Sequence, residues 1–472
     1  MAEHWSDIYF DRRDRDILAL VNHILDSRTG PSDNGLFDPN LNPHGIKELA
    51  ATPVARMASA VINLLRNLEA GDAQARDRLL ALEVLYDEVL NSAHSTLRRN
   101  TARVLMQIMK DMVRAHGDRL TQLKLAHDFR RTVQGTPRIV RHMLARYHLP
   151  EMPEEWNQIA FDDHVYDANT KGRKTPTHLI MDAWIKGIRD ITIGYEYWVP
   201  PDAAREILRA SEITGLTVRI GIEYQVPFYD HYASLFWIPR GFSSNEDFLE
   251  FLHNPKLADM MKQGREVLSW KKARILRILN AWNDLPRARL MEAWGVEVAP
   301  LDQQDFLDFV GRGQPSMHHL SEYLHRHVLP AARKRAQRLA EAGSADTAAA
   351  EELAALENLS ADIIADEWLN AENIPEVRDL LEPCHGDVPQ LLRLSPQELV
   401  RELQELNPGY RLVLGLTDLR VEDVAEVLSD CHGAITHLEI FNMRAWLEGR
   451  LHDLEAIGEL QRALNLGLGP RV

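Results

Sequence analysis

One segment constrains the fold of this chain more than any other, because residues 161–223 alternate short apolar strands with amphipathic helices. The predicted elements are a strand over Ile159–His164, a helix starting at Thr175-Pro176, a strand over Ile191–Tyr195, a helix over Pro201–Ile213 and a strand over Val218–Glu223. Such alternation implies right-handed crossovers and a parallel sheet. Ionisable residues follow the first and third strands, and chemistry in α/β folds occurs at the carboxyl ends of strands. The segment therefore predicts an α/β domain with a site at that edge.

The sequence on either side of this segment is mostly helical. Amphipathic spacing predicts a helical N-terminal domain over residues 1–150, and the strand-helix pattern returns late in the chain. We therefore expect one α/β barrel domain formed by residues 156–240 and 375–445. A helical insertion is expected over 241–374 and a C-terminal helix over 446–472.

Composition excludes several classes of function. Lys plus Arg number 54 and Asp plus Glu 70, so the net charge is 54 − 70 = −16. Such an acidic chain repels phosphate backbones, which argues against nucleic-acid binding. Two cysteines exclude a disulfide framework and fit a reducing compartment. No apolar run approaches the length of a membrane span, and the N-terminus lacks a signal-peptide pattern, so a cytoplasmic protein without membrane contact is expected.

The best candidate site lies around the first predicted strand. Strand alternation places Asp162 and His164 on one face, where an imidazole and a carboxylate can share a divalent metal. Glu223, at the end of a neighbouring strand, could complete the set. The alternative is that these acidic groups cap loops and pair with the nearby cations Lys171, Arg173 and Lys174.

The order of these motifs resembles the PHP family of polymerase and histidinol phosphatase-like metallophosphoesterases. Asp162-Asp163-His164-Val165-Tyr166 matches the first motif, Thr175-Pro176 the helix start, residues 193–196 the region of the second motif, and Gly221-Ile222-Glu223 the third. Leu438 to Asn442 resembles a later strand that often ends in Asn in that family. The resemblance implies a distorted TIM-type barrel, interrupted by the helical insertion and preceded by the all-α domain. It also implies metal-dependent hydrolysis of a phosphoester.

The chain departs from the family pattern at two histidine positions. Tyr166 replaces the second histidine of the first motif, and Tyr195 or Glu196 stands near the histidine of the second. The ligands that carry over are Asp162, His164 and Glu223, for Zn, Mn or Fe.

Three further roles follow from the resemblance. Asp167 or Glu196 would assist as ligand or base, and Arg173 or Lys174 would bind the anion of a small phosphorylated or sugar-like ligand. The rival interpretation is a PHP-like barrel without metal or catalysis that serves as a ligand-binding or protein-interaction scaffold.

Two other clusters carry potential ligands. His318, Glu322 and His325 share one predicted helical face, which could hold a metal or could be an exposed polar face. The tripeptides Cys384-His385-Gly386 and Cys431-His432-Gly433 could supply thiolates, although helix ends capped by glycine explain them as well.

Overall fold

The protein is a mixed α/β chain with one six-stranded sheet and many helices. The computed structural model describes residues 10–26, 53–69, 75–93, 95–153, 161–342, 353–356, 358–381, 383, 388–439, 442, 445–446 and 449–467. The mixed α/β class expected from the sequence is confirmed.

The first half of the chain is helical until the sheet begins. Its elements are α1 Arg12–Asp26, α2 Pro53–Glu69, α3 Ala75–Ser92, α4 Arg98–Arg114, α5 Arg119–Val133, α6 Pro137–Arg146, β1 Phe161–Val165, α7 Pro176–Lys186, β2 Asp190–Glu196, α8 Pro201–Thr214, β3 Thr217–Phe228 and β4 His231–Ile238. Pro176 and Pro201 each begin a helix. Proline is suited to this position because it has no backbone N–H, and the N–H groups of the first helical turn have no partner within the helix.

The second half is again mainly helical. Its elements are α9 Asn245–Phe251, α10 Pro255–Asp284, α11 Pro286–Trp294, α12 Gln303–Val310, α13 Met317–Ala342, α14 Ala361–Trp368, a 3-10 turn Pro375–Val377, α15 Arg378–Leu381, a 3-10 turn Gln390–Arg393, α16 Pro396–Leu406, β5 Arg411–Leu414, α17 Val421–Asp430, β6 His437–Leu438 and α18 Leu454–Asn465.

The strands follow one another in sequence order across the sheet. β1 runs parallel to β2, with Phe161 opposite Asp190, and β5 runs parallel to β6. β4 instead pairs antiparallel with β3 and with β5. The parallel arrangement expected for residues 161–223 does not extend to β4, because only Tyr229 and Asp230 separate it from β3 and a two-residue connection forces a hairpin.

Two differences from the sequence prediction occur near the end of the chain. The later strand, expected to reach Asn442, is limited to His437–Leu438 in the described residues, and Ile440 and Phe441 lie outside them. The C-terminal helix expected over 446–472 is not continuous, since residues 449–453 are not helical and α18 covers Leu454–Asn465. Gly449 has a φ of 69° and Asp453 one of 49°, so the backbone turns twice through the left-handed region before that helix begins.

The chain divides into two compact units. The first comprises residues 1–167, 174–193 and 200–219, and the second comprises residues 168–173, 194–199 and 220–472. The four-part domain division expected from the sequence stays a prediction.

Buried ion pairs hold the first unit together. Arg78 Nε and Nη2 donate to the Glu206 carboxylate at 2.8 and 2.7 Å, and both side chains are almost fully buried. Thr177 Oγ1 donates to the same carboxylate at 2.7 Å, and the Thr177 backbone N–H donates at 3.2 Å. Glu206 thus has a donor on both of its oxygens, which is what a buried charge requires.

A second buried carboxylate in this unit is Asp182 on α7. Lys110 Nζ donates to it at 2.7 Å, and Lys174 Nζ donates to its other oxygen. Burial acts to raise the pKa of Asp182, but the two lysines outweigh it and lower that pKa to about 2. Burial also lowers the pKa of the adjacent His178 to about 4, so this imidazole is neutral at pH 7.

The second unit is built around two long helices, α10 and α13. Ile278 and Trp282 of α10 belong to one apolar cluster with Leu324 and Val328 of α13 and Phe306 of α12. These side chains are fully buried, so the helices have a fixed axial position on which a site can be placed.

Candidate functional site

Two glutamates and two lysines form a charged centre in the second unit. Glu196 is the last residue of β2, where α/β proteins concentrate chemistry. Glu223 lies within β3, which continues to Phe228 instead of ending at Glu223 as expected from the sequence. Lys171 Nζ lies 2.9 Å from Glu196 Oε1 and 3.3 Å from Glu223 Oε2. Lys271 Nζ lies 3.6 Å from the same Glu196 oxygen. We call Lys171, Glu196, Glu223 and Lys271 the four-charge centre.

Lys171 is positioned by the short segment of residues 168–173. The Gln314 backbone N–H donates to the Thr170 carbonyl at 3.0 Å. A Cβ added at Gly313 would stand 2.9 Å from that carbonyl oxygen, so glycine permits the close approach. These contacts fix the backbone at Thr170, next to Lys171. The flexible Lys171 side chain can reach both glutamates from there.

Lys271 reaches the centre from α10. Its Nζ donates to Gln225 Oε1 at 2.9 Å and stands 4.9 Å from the centroid of the Tyr197 ring. Only 15% of its side chain is exposed, whereas 32% of the Lys171 side chain is. The two lysines thus differ in surroundings: one bridges two carboxylates near solvent, and the other is buried beside an amide and a ring.

Tyr197 has a strained backbone directly after Glu196. Its φ is 57°, which costs a residue other than glycine on the order of 1–3 kcal/mol and persists only when its contacts enforce it. Its N–H donates to the Glu223 carbonyl at 3.0 Å, and its hydroxyl accepts from the Gln225 N–H at 3.2 Å. Gly264 of α10 is packed against the Tyr197 carbonyl, where any Cβ would come within 2.4 Å. Strain held in this way is typical of functional sites.

The charges of the centre act on one another. Burial would raise the pKa of Glu196, but the ammonium groups of Lys171 and Lys271 outweigh it and lower that pKa. Burial lowers the pKa of Lys271, and the charge of Lys171 adds to this against the opposing attraction of Glu196. The centre therefore combines an ionised carboxylate with an amine that loses its proton more easily than a surface lysine.

Two of the three metal ligands expected from the sequence, His164 and Glu223, contact other side chains. His164 Nε2 lies 2.9 Å from the Tyr166 hydroxyl, and Tyr166 is the residue that replaces a histidine of the resembled motif. Glu223 Oε1 accepts from Ser234 Oγ at 2.9 Å while its Oε2 faces Lys171. Asp162 and His164 belong to the first unit and Glu223 to the second. Across the described ranges, no group of three or more His, Cys, Asp or Glu side chains is arranged to hold a metal ion. The metal site formed by Asp162, His164 and Glu223 stays a prediction.

Of the other predicted residues, Glu196 is in the centre, and Asp167 and Arg173 are not among its four members. Asp167 is fully buried in the first unit. Arg173 forms an ion pair with Glu322, whose carboxylate also lies 3.2 Å from His318 Nε2. Of the nearby cations named in the alternative, Lys171 pairs with the predicted site residue Glu223, whereas Arg173 pairs with Glu322 outside that set.

The predicted face of three ligands on α13 is only partly formed. His318 and Glu322 are neighbours, but His325 Nε2 lies 3.1 Å from the Leu359 carbonyl oxygen instead. His319 is buried next to them with Nδ1 3.0 Å from Ser316 Oγ. Burial, together with the charge of His318, lowers the pKa of His319 to about 4, so this imidazole is neutral at pH 7.

The cysteine tripeptides add no nucleophile to the centre. Burial raises the pKa of the Cys431 thiol to about 11, which keeps it protonated and unreactive at neutral pH. His432 and Gly433 take positive φ values just after α17, as expected for a helix end. Cys384, His385 and Gly386 lie outside the described residues.

Sequence reasoning missed Lys271 and Ser234. One pattern could have revealed Lys271: it follows Val267 by four residues and precedes Ile275 by four, so it lies on the buried face of α10. A charged residue in such a stripe is rarely buried without a partner. Ser234 gave no comparable indication, because its role depends on the β3–β4 hairpin.

Comparison with known proteins gives only distant structural likenesses. No protein-family model and no curated protein matches the chain. Among solved structures, a provisionally assigned metal-dependent phosphoesterase from Bifidobacterium adolescentis is 15% identical, covers 60% of this chain and 77% of its own, and has a TM-score of 0.35. An amidohydrolase from Chromobacterium violaceum, with bound sulfate and no metal, is 13% identical, covers 61% and 80%, and has a TM-score of 0.37. Likenesses this distant carry no argument about activity.

Proposed function

We propose that this chain binds a small polar ligand at the four-charge centre and that it does so without a divalent metal. One observation carries the proposal: the Lys171 ammonium lies 2.9 Å from Glu196 and 3.3 Å from Glu223. A bridging cation of this kind neutralises two adjacent carboxylates as a divalent metal otherwise would. The strained backbone of Tyr197 beside Glu196 supports a functional rather than a merely structural centre.

The charge balance of the centre favours a particular class of ligand. Two ammonium groups and two carboxylates leave no net charge, so the centre offers hydrogen-bond donors and acceptors without attracting a phosphate dianion strongly. A sugar-like ligand rich in hydroxyl or carbonyl groups fits this balance. Arg173, with 63% of its side chain exposed and five donors, could contact a phosphate on such a ligand while keeping its pair with Glu322.

The scaffold that we propose is a PHP-like barrel that has lost its metals. The order of the motifs from Asp162 to Glu223 and the replacement of a family histidine by Tyr166 support this. The net charge of −16 supports a partner other than nucleic acid. No helix in the part of the chain that the structure describes is long and apolar enough to span a membrane.

A second candidate is metal-dependent hydrolysis of a phosphoester. Its specific support is that Glu196 and Glu223 approach one shared cation, so displacement of Lys171 would leave a carboxylate pair of the kind that hard cations bind. Asp162 and His164 would be further ligands, with Asp167 as base. Because His164 and Glu223 are engaged by Tyr166 and Lys171, we rank this candidate second.

Metal analysis and ligand binding separate the two candidates. The purified full chain is equilibrated with Zn²⁺, Mn²⁺ or Fe²⁺, desalted and analysed for metal, and then titrated calorimetrically with free sugars and sugar phosphates. We expect substoichiometric metal and sugar binding that Glu196→Gln and Lys171→Met weaken. Lys272→Met, an exposed lysine on α10, is the matched control and should bind as the wild type does.

Two results would overturn the proposal. One is stoichiometric metal that supports hydrolysis of a phosphoester panel and disappears in His164→Ala plus Glu223→Ala. The other is sugar binding that Glu196→Gln and Lys171→Met leave unchanged.

A further inference from the structure

Lys271 has the surroundings of a reactive amine. It projects from the middle of α10 onto the buried face of that helix, with Val267 and Ile275 four residues away on either side. Its Nζ contacts Gln225 Oε1 at 2.9 Å and stands 3.6 Å from Glu196 Oε1.

The two lysines of the centre are suited to different tasks. Lys171 bridges two carboxylates, which favours its charged form. Lys271 is more deeply buried, and burial together with the charge of Lys171 lowers its pKa. A buried lysine beside a second cation is a recognised arrangement for an amine nucleophile.

We propose that Lys271 Nζ captures the carbonyl carbon of a small aldehyde or ketone ligand as a reversible imine. The inference rests on the proposed function, since it assigns the ligand class of the same metal-free centre. Open-chain sugars and their phosphates carry such a carbonyl group and belong to the ligand class proposed above.

The reaction balances with the groups of the centre alone. The unprotonated Lys271 nitrogen attacks the carbonyl carbon, a C–N bond forms, and the π-electron pair moves to oxygen, which takes a proton from Lys171. Glu196 accepts the proton that the nitrogen then loses and returns it to Lys171, with which it is hydrogen-bonded. A second proton from Lys171 to the hydroxyl releases water as the C–O bond breaks, and Glu196 again accepts the second nitrogen proton and returns it. The sum is amine plus carbonyl giving imine plus water, with no oxidant or reductant.

Reductive trapping tests this directly on the wild-type chain. The full chain is incubated separately with glycolaldehyde, dihydroxyacetone phosphate and pyruvate in the presence of sodium cyanoborohydride. At least one probe should add one equivalent, seen by intact mass as the probe minus one oxygen atom, and peptide mapping should place it on Lys271. At neutral pH the fraction of unprotonated amine rises about tenfold for each unit by which the pKa falls, so Lys271 should outcompete exposed Lys272.

Variants give a second, independent readout. Lys271→Arg keeps the charge but cannot form an imine, so labelling at this site should disappear while the fold is preserved. Lys171→Met removes the neighbouring charge, so the pH at which Lys271 labelling is half-maximal should rise. Lys272→Met should leave Lys271 labelling unchanged.

Labelling spread evenly over exposed lysines, or absent from Lys271 with all three probes, would overturn the inference. A pH profile that is the same in Lys171→Met and wild type would also count against it. Metal analysis of the same samples keeps the two proposals apart: a metal-free chain without a Lys271 adduct contradicts only the imine, whereas stoichiometric metal contradicts the proposed function.

Discussion

The buried ion pairs of the first unit and the four-charge centre of the second are made from the same residue types, yet they are arranged differently. In the first unit, Glu206 receives two donors from Arg78 and two from Thr177, so its hydrogen-bonding capacity is filled by fixed partners. In the second unit, one ammonium is shared by two glutamates, and a second lysine stands 3.6 Å from one of them.

The difference separates charges that fix a fold from charges that are available for chemistry. The Arg78 guanidinium, paired with a Glu206 carboxylate that accepts four hydrogen bonds, has no other arrangement of low energy. Ammonium groups that share carboxylates can move a proton or exchange partners at small cost, and the lowered pKa of Lys271 is a sign of that.

The largest effect is expected in the first unit. Glu206→Gln removes the carboxylate that lies 2.7 Å from the Arg78 guanidinium, of which 4% of the side chain is exposed. Breaking such a pair costs about 3–5 kcal/mol. Urea unfolding of the full chain, followed by circular dichroism, should show this loss in the free energy of unfolding. A loss no larger than that of a surface variant would mean that the fixed pair is not what holds the first unit.

The second-largest expected effect is a pH-dependent loss of stability caused by one buried histidine in each unit. Burial lowers the pKa of His178 in the first unit and of His319 in the second to about 4, from an ordinary value of 6.5. A lowered histidine pKa means that the unfolded chain binds the proton more tightly, so stability falls as pH drops from 6.5 to 4. The shift corresponds to at most about 3 kcal/mol for each residue.

His178→Gln and His319→Gln should each reduce the fall in the free energy of unfolding between pH 6.5 and pH 4. Asp182 contributes little within the same window, because its pKa is about 2 and its stabilisation is lost only at lower pH. If the free energy of unfolding falls below pH 6.5 in both variants as it does in the wild type, the imidazoles are protonated in the folded chain at pH 5.

A smaller effect should follow from Lys171→Met. This variant removes charge-assisted contacts to Glu196 and Glu223, worth about 1.5–3 kcal/mol. In the wild type the pKa of Glu196 is lowered, so its contribution is present above the ordinary value of 4.5 and is lost as pH falls. Without Lys171 the two carboxylates repel each other and favour protonation. The stability gap between wild type and variant should therefore be widest above pH 6 and should narrow toward pH 4. A gap independent of pH would contradict the shared-cation description.

The smallest effect provides the reference for these comparisons. Arg205→Ala removes an exposed pair with Asp202 on α8, where 60% and 93% of the side chains are accessible. Solvent screening makes such pairs weak, so no change in the unfolding midpoint is expected. A clear loss would indicate that exposed and buried pairs contribute alike in this chain.

Much of the fold was predictable because local sequence dictates it. The helices beginning at Pro176 and Pro201 and the strands containing Ile191 and Val218 follow directly from proline positions and apolar periodicity. The antiparallel direction of β4 could not be predicted in the same way, since it depends on a two-residue connection at Tyr229-Asp230 that lacks glycine and so has no standard hairpin pattern.

Only those residues of the candidate site that belong to a recognisable sequence motif on a strand could be predicted. Glu196 could be located because it ends an apolar strand, as ionisable site residues in α/β folds do. Glu223 was located by the motif Gly221-Ile222-Glu223, although β3 continues beyond it to Phe228. Lys171 was predicted only as a cation that could pair with nearby acidic groups. Lys271 was missed because it lies on a helix and is 48 residues further along the chain than Glu223. Contacts of that sequence separation depend on how helices pack, which local patterns do not encode.

The close approach of Gly264 to Tyr197 has a consequence for how this protein can change over evolutionary time. Gly264 and Lys271 are seven residues apart, about two helical turns, and both face Tyr197 from α10. One residue inserted between them would turn Lys271 by about 100° and slide it about 1.5 Å along the axis. Among descendants that keep this amine in use, the length of that interval should be invariant even where its other residues drift, so insertions and deletions should accumulate elsewhere.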